Sequence, residues 1–331
     1  MSVYSIARQE WAESIFKVST EYAIYAPVEK FKTVDYELVT AENVSEIAYN
    51  GQLPVLPLKA FFFPVKENVG QEPVADKRII IGVRNCDLMA LKLLDAVFLD
   101  EEFLDIHYQS RRENTILIGN DCYAIKETCH CTVYGLEPYP QENMDITISP
   151  VGEVLYLSVA TPKGATLLTK LNMTGLREES ELPESVQRKR AVIREKLKNQ
   201  HKELPGLEET KAGLLKTDAS FWQEYAQKCV SCGACAMICP TCHCFLLIDR
   251  QNFEKVKNWD TCQYPSFEKV AAGEDPLRRL SKRLKNRYEC KYIHKPEMFN
   301  ALACTGCGRC IDACIGKIDK NQIIIAACKK D

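Results

Sequence analysis

The pattern of apolar and polar positions divides the chain into stretches of different character. In the first, Ile6 to Phe16 carries apolar residues at helical spacing. Short apolar strands follow, and LKAFFFP at 58–64 is an apolar run ended by Pro64. RIIIGVR at 78–84 is a β-branched run suited to a buried strand, and TILIG at 115–119 is a second. Between them, DLMALKLLDAVFLD (87–100) has apolar residues at helical spacing, with an aspartate placed for a first helical turn. Strand, helix and strand in that order predict a parallel pair with a right-handed crossover. MDITIS (144–149) and EVLYLSVA (153–160) read as a further strand pair about the turn residues PVG. The pattern thus predicts an α/β domain over 1–164 with a partly parallel sheet.

Residues 165–215 differ. SVQRKRAVIREKLKNQHKEL is a charged helical stretch bounded by LPE and LPG, and it reads as a helical connector. The remainder, 216–331, holds thirteen of the seventeen cysteines. The chain's 331 residues are enough for two domains. A formal net charge of −2 argues against nucleic acid as the main partner. No segment approaches the apolar length of a membrane span. The N-terminus MSVYSIARQEWAESIF lacks the basic start and apolar core of a secretory signal. A cytoplasmic chain is expected. Disulfides are rare there, so this many cysteines point to metal or redox chemistry.

The strongest signal is a repeat. C-x2-C-x2-C-x3-C at 229–239 recurs as CTGCGRCIDAC at 304–314. Three cysteines spaced by two wrap one side of a [4Fe–4S] cube, and the fourth points to the other cluster of a pair. The expected assignment is therefore crossed. Cys229, Cys232, Cys235 and Cys314 hold one cluster, and Cys304, Cys307, Cys310 and Cys239 hold the other. Gly233 and Gly308 occupy the same place in each turn and let backbone N–H groups approach an anionic cluster. Structural zinc also takes four cysteines, but in two separated pairs rather than in runs of three plus one. Pro240 follows the first run where Ile315 follows the second, a change of exit geometry that removes no ligand.

The 64 residues between the runs (240–303) predict an α+β ferredoxin-like dicluster domain carrying a long helical insert. The insert contains Cys242, Cys244 and Cys262, open to three readings: further ligands, thiols behind the ligands, or buried small apolar residues. It also contains a basic helix, LRRLSKRLKNRY (277–288), read either as a solvated face or as a dock for an acidic partner. Lys228, Arg309 and Lys317 flank the runs, either raising cluster potentials or lying at the surface.

Four cysteines lie in the first half. Cys86 follows the strand 78–84, and Cys122 follows the strand 115–119. If the strands are parallel neighbours, both emerge at the carboxyl edge of the sheet, where open α/β sheets bind ligands. Cys86 also starts a helix, whose dipole favours thiolate. With Cys129 and Cys131 of TCHC they make a candidate set for a third [4Fe–4S] cluster, the alternative being four ordinary buried thiols.

At this point the chain resembles the β subunits of cytosolic sulfhydrogenases and the corresponding iron–sulfur chain of anaerobic sulfite reductase. The stretches that carry the resemblance are LKAFFFPVKE, VRNCDLMALKLLDAVFLD, Asp121–Gly135 with its TCHC, CVSCGACAMICPTCHCF, NWDTCQYPSF and CTGCGRCIDAC. The resemblance implies an electron-transfer subunit. It would relay electrons between a siroheme or nickel–iron catalytic partner and a flavin/NAD(P)H-binding subunit. By the same resemblance Cys242, Cys244 and Cys262 recur, while Cys290 and Cys328 fall outside the pattern. The sequence itself has no G-x-G-x-x-G, P-loop or G-x-S-x-G. It names no catalytic residue, and its distinctive chemistry is thiol chemistry. Alternatives are a component of another anaerobic reductase or hydrogenase complex, a free carrier, and a self-contained flavin-binding oxidoreductase.

Overall fold

The chain is described by a computed structural model that covers residues 2–74 and 76–329. Among the described residues of the first 180 lie nine strands: β1 (Ser2–Ala7), β2 (Ala23–Lys30), β3 (Thr33–Leu38), β4 (Lys66–Asn68), β5 (Arg78–Val83), β6 (Thr115–Asn120), β7 (Ile146–Val151), β8 (Val154–Val159) and β9 (Arg177–Glu179). All but β4 form one mixed sheet in the order β3-β2-β5-β6-β7-β8-β1-β9. Strands β2, β5, β6 and β7 are parallel, with Ile79 opposite Ile116 and Ile80 opposite Leu117. The expected β5–β6 pair is therefore present, and the β7–β8 pair is an antiparallel hairpin.

The parallel strands are apolar on both faces because both faces are covered. Ile79, Ile81, Ile116, Ile118, Ile146 and Ile148 pack against α1 (Arg8–Lys17) and α5 (Pro162–Leu171) through Trp11, Ile15, Leu167 and Leu171. Ile80 and Leu117 face Leu88, Leu91 and Leu94 of α3 (Asn85–Phe98), with Phe62 and Phe63 beside α2 (Lys59–Phe62) and Tyr108 of α4 (Ile106–Glu113). Each such fully buried side chain contributes about 1.5–3 kcal/mol of transfer free energy.

Three local expectations shift. The first helix starts at Arg8, and Ile6 belongs to β1 between β8 and β9, because sheet pairing on both sides outweighs helical spacing. LKAFFFP contains the short helix α2. The helix after β5 starts two residues earlier than read, so Cys86 lies inside the first turn of α3. Helix α5 and strand β9, both part of this α/β unit, extend beyond residue 164.

Helix α6 (Glu184–Gln200) lies on the carboxyl edge of the sheet. Its Arg190 makes a bidentate pair with buried Asp121, at 2.8 and 2.9 Å, and its Arg194 Nε donates to Glu137 at 2.6 Å. The C-terminal core gathers α7 (Leu207–Lys216), α8 (Ala219–Ala226), α10 (Leu280–Glu289) and α13 (Lys320–Cys328) around Trp222, Leu284, Tyr288, Ile323 and Ile324. Short helices α9 (Ala234–Met237) and α12 (Arg309–Asp312) lie within the two cysteine runs, and α11 (Lys295–Phe299) is reached from α10 through a π-helical turn at Cys290–His294.

The stretch 240–303 is not all helix. It contributes β10 (Phe245–Asp249) and β11 (Lys255–Trp259), and β11 pairs with β4 to form a second sheet, β10-β11-β4. In KVKNW, Val256, Lys257 and Trp259 are all buried. Buried Lys257 bonds Asp105 at 2.5 Å and Glu67 at 2.9 Å, while Trp259 Nε1 donates to Phe63 O at 3.0 Å. The stretch between the cysteine runs is thus joined to the α/β unit by a strand pair and a buried ion triad.

Candidate metal centres

The two cysteine runs fold into the same backbone. Ser231 and Gly306, each the residue before the second cysteine, are left-handed at φ 53 and 66. Gly233 and Gly308 are left-handed at φ 72 and 76 and cap α9 and α12. Only the first of these four positions tolerates a side chain. A Cβ on Gly306 would lie 2.6 Å from Cys131 Cα, because His130 N donates to Gly306 O at 2.8 Å and draws the TCHC segment onto this turn. Gly306→Ala is expected to destabilise the folded chain by more than about 1 kcal/mol and to lower bound iron. Anaerobic denaturant unfolding with parallel iron analysis checks it. An unchanged midpoint would show that the two segments can separate without cost.

Cys229, Cys232, Cys235 and Cys314 line one cavity, together with Arg287, Tyr288 and Lys320. This is the crossed set read from the spacing. The other crossed set is also gathered. Lys291 Nζ lies 3.1 Å from Cys239 Sγ and 3.0 Å from Ala303 O, tying Cys239 to the residue preceding Cys304. Cys310 lies within electrostatic reach of Cys239 and Cys304, and Cys307 within that of Cys239 and Cys310. A hydrogen bond from Cys242 outweighs burial and, with Lys291, holds Cys239 well below the ordinary thiol range, favouring the thiolate that binds metal.

A third cavity is lined by all four first-half cysteines, Cys86, Cys122, Cys129 and Cys131, with Arg84, Leu197 of α6, Gly306 and Cys307. The parallel β5–β6 pair brings Cys86 and Cys122 to one sheet edge. Burial pushes Cys86 well above the ordinary thiol range and Cys129 up to about 11, so as free side chains these are neutral thiols. Metal binding displaces such protons, and the donor set suits a cluster. The second set sits between the other two, because Cys310 also lines the first cavity and Cys307 the third.

The charge balance tests the fit independently. Lys59, Arg84, Arg287, Lys291, Lys295 and Lys320 are all buried. Among the described residues none of the six pairs with a carboxylate. Arg287 donates to Cys235 O at 2.8 Å and approaches Cys242 Sγ at 3.7 Å. Lys59 Nζ bonds Cys242 O at 2.9 Å, and burial pushes it down to about 8. Lys320 Nζ bonds the hydroxyls of Tyr292 and Tyr134 at 2.8 and 3.2 Å. Arg84 bonds the carbonyls of Asp121 and Gly51. Burying unpaired cations is costly. All six border the thiol sets, where thiolate-ligated clusters would carry the compensating negative charge. By contrast Arg309 pairs with a carboxylate, that of Asp87, while Lys228 and Lys317 are exposed.

Sequence reasoning missed these cations. For three of the six the signal is periodic: Arg287, Lys291 and Lys295 fall every fourth residue, in a row begun by Arg283, which pairs with Asp275. That row faces inward, while Arg278, Arg279 and Lys282 of the same basic stretch are exposed. The open readings of 277–288 considered only the outer face. Cys242, Cys244 and Cys262 gather at the base of the β10–β11 hairpin.

Residues 228–318 match the family described as a 4Fe-4S dicluster domain. The chain is 29% identical over 321 residues to sulfhydrogenase 2 subunit beta of Pyrococcus furiosus, covering 91% of each chain. Along nearly its whole length the chain is thus similar to a sulfhydrogenase β subunit, and a stretch of its C-terminal third matches a 4Fe-4S dicluster domain.

Proposed function

We infer that this chain is an iron–sulfur electron-transfer subunit of a multisubunit oxidoreductase. In this reading it relays electrons between a catalytic partner of sulfhydrogenase or anaerobic sulfite reductase type and a flavin/NAD(P)H-binding subunit, in the cytoplasm. Cys229, Cys232, Cys235 and Cys314 hold one [4Fe–4S] cluster, and Cys304, Cys307, Cys310 and Cys239 hold the second. Cys86, Cys122, Cys129 and Cys131 hold a third. When bound, such clusters supply reversible one-electron transfer. The observation that carries this reading is the convergence of three thiol quartets, in a row, among buried cations with no carboxylate partner. No helix among the described residues is long and apolar enough to cross a membrane.

The protein's own contribution is positioning and charge. Helices α9 and α12 present the backbones of both runs. Arg287, Lys291 and Lys320 offset the negative charge of the thiolates, and Leu197 of α6 lines the third cavity. The side chains that bond to sulfur or lie beside it set how readily the site accepts an electron.

The test is ligand substitution on chain purified without oxygen. The double variant Cys86→Ala/Cys122→Ala is expected to lose about four iron and four sulfide per chain, one cube's worth. The two dicluster signals should persist in the EPR of the reduced form. Full iron retention would remove the third set. Cys314→Ala should disturb the signal of the first run rather than that of its own, and the reverse outcome would overturn the crossed assignment.

A further inference from the structure

Three quartets account for twelve of the seventeen cysteines, leaving Cys242, Cys244, Cys262, Cys290 and Cys328. Cys328 stands apart at the C-terminal end of α13, exposed, with its Sγ 3.3 Å from Glu209 O. The other four come from three separate segments that the fold brings together.

The β10–β11 ladder pairs Phe245 with Trp259. One step beyond it, Asp260 N donates to Cys244 O at 2.9 Å. Cys242 precedes this contact by two residues and Cys262 follows it by two, and the Cys242 thiol also hydrogen-bonds Cys239 of the second quartet. Helix α10 runs along this hairpin base. Arg283 Nη1 lies 3.4 Å from Cys262 O, and one turn later Arg287 Nη1 lies 3.7 Å from Cys242 Sγ. Cys290 follows Arg287 by three residues, so it continues the same side of the helix. It is the first residue of the π-helical turn, a local widening often found at functional sites. The Cys244 thiol lies within electrostatic reach of Lys295, Cys262, Cys290 and Asp260. Lys295 Nζ is 3.3 Å from Thr241 O and 3.4 Å from His243 Nδ1, so a buried ammonium closes the site. Cys262 also lies in reach of Cys235, a member of the first quartet.

We propose that Cys242, Cys244, Cys262 and Cys290 form a fourth thiolate quartet that holds a further [4Fe–4S] cluster, beside the first dicluster site. This rests on the iron–sulfur reading above and extends it. Cys290, outside the resemblance pattern, is the ligand that completes the set. Ligation releases the thiol protons and forms four iron–sulfur bonds, with iron and sulfide supplied by cluster assembly.

The experiment measures iron, acid-labile sulfide and zinc per chain on full-length protein purified without oxygen, with spin-quantified EPR of the reduced form. The wild type is expected to carry about sixteen iron and about sixteen sulfide. Cys290→Ala, and separately Cys244→Ala/Cys262→Ala, should each lose about four of both while the remaining cluster signals persist. Cys328→Ala should lose none. The single Cys290→Ala change guards against misfolding of the double variant. About twelve iron in the wild type, with loss on Cys86→Ala/Cys122→Ala, would overturn this proposal and leave the three-cluster reading intact. Zinc bound at this quartet would also overturn it. Iron below about eight would remove both readings.

Discussion

Arg309→Met is expected to destabilise the folded chain by about 3–5 kcal/mol, because it leaves a buried carboxylate without its partner. Arg309 Nη1 and Nη2 reach Asp87 Oδ1 and Oδ2 at 2.8 and 2.7 Å, and its Nε donates to Pro54 O at 3.0 Å. The side chains are 3% and 0% exposed, so water cannot take over either charge. The pair joins α12, which lies within the second cysteine run, to the first turn of α3, which holds Cys86. Its loss should therefore loosen the third cavity as well as lower stability. Adding Asp87→Leu should recover most of the loss, since replacing both partners removes the stranded charge. Anaerobic urea unfolding of both variants checks this. A loss below about 1 kcal/mol in the single variant would mean that the carboxylate finds solvent, against its burial.

The second large effect is electrical. Arg287→Met should make the reduction potential of the adjoining dicluster sites more negative by on the order of 100 mV. The sign follows from charge: reduction adds an electron, and a nearby cation stabilises the more negative state. A unit charge about 6 Å away at an effective dielectric of about 20 is worth roughly 3 kcal/mol, and about 59 mV corresponds to 1.4 kcal/mol for one electron. Arg287→Lys keeps the charge and should move the potential far less. An EPR-monitored redox titration of both variants separates them. Equal shifts would mean that packing around Tyr288, not charge, sets the potential.

Much of this site was legible in the sequence because cysteine spacing encodes cluster geometry locally. A C-x2-C-x2-C turn has few ways to fold, and both runs adopt the same left-handed positions, with Ser231 in place of the glycine at 306. The strand–helix–strand reading of 78–119 placed Cys86 and Cys122 at one edge because parallel pairing fixes direction. The rest depended on contacts distant in sequence. Nothing local says that Lys66–Asn68 will pair with Lys255–Trp259, which joins the insert to the α/β unit. The basic stretch 277–288 looked like a surface because charge usually is one. Only the thiols packed against its inner face explain why Arg287 can be buried. Cys290 was unreadable for a related reason, since its neighbours Cys244 and Cys262 lie 46 and 28 residues away.

The most direct test of the central claim is spin-quantified EPR of anaerobically purified chain, reduced with dithionite, alongside iron and sulfide analysis. At least about twelve iron and twelve sulfide per chain are expected, with reduced-state signals from three or more interacting cubic clusters. Zinc in place of iron, or iron that yields no reducible cluster signal, would contradict it.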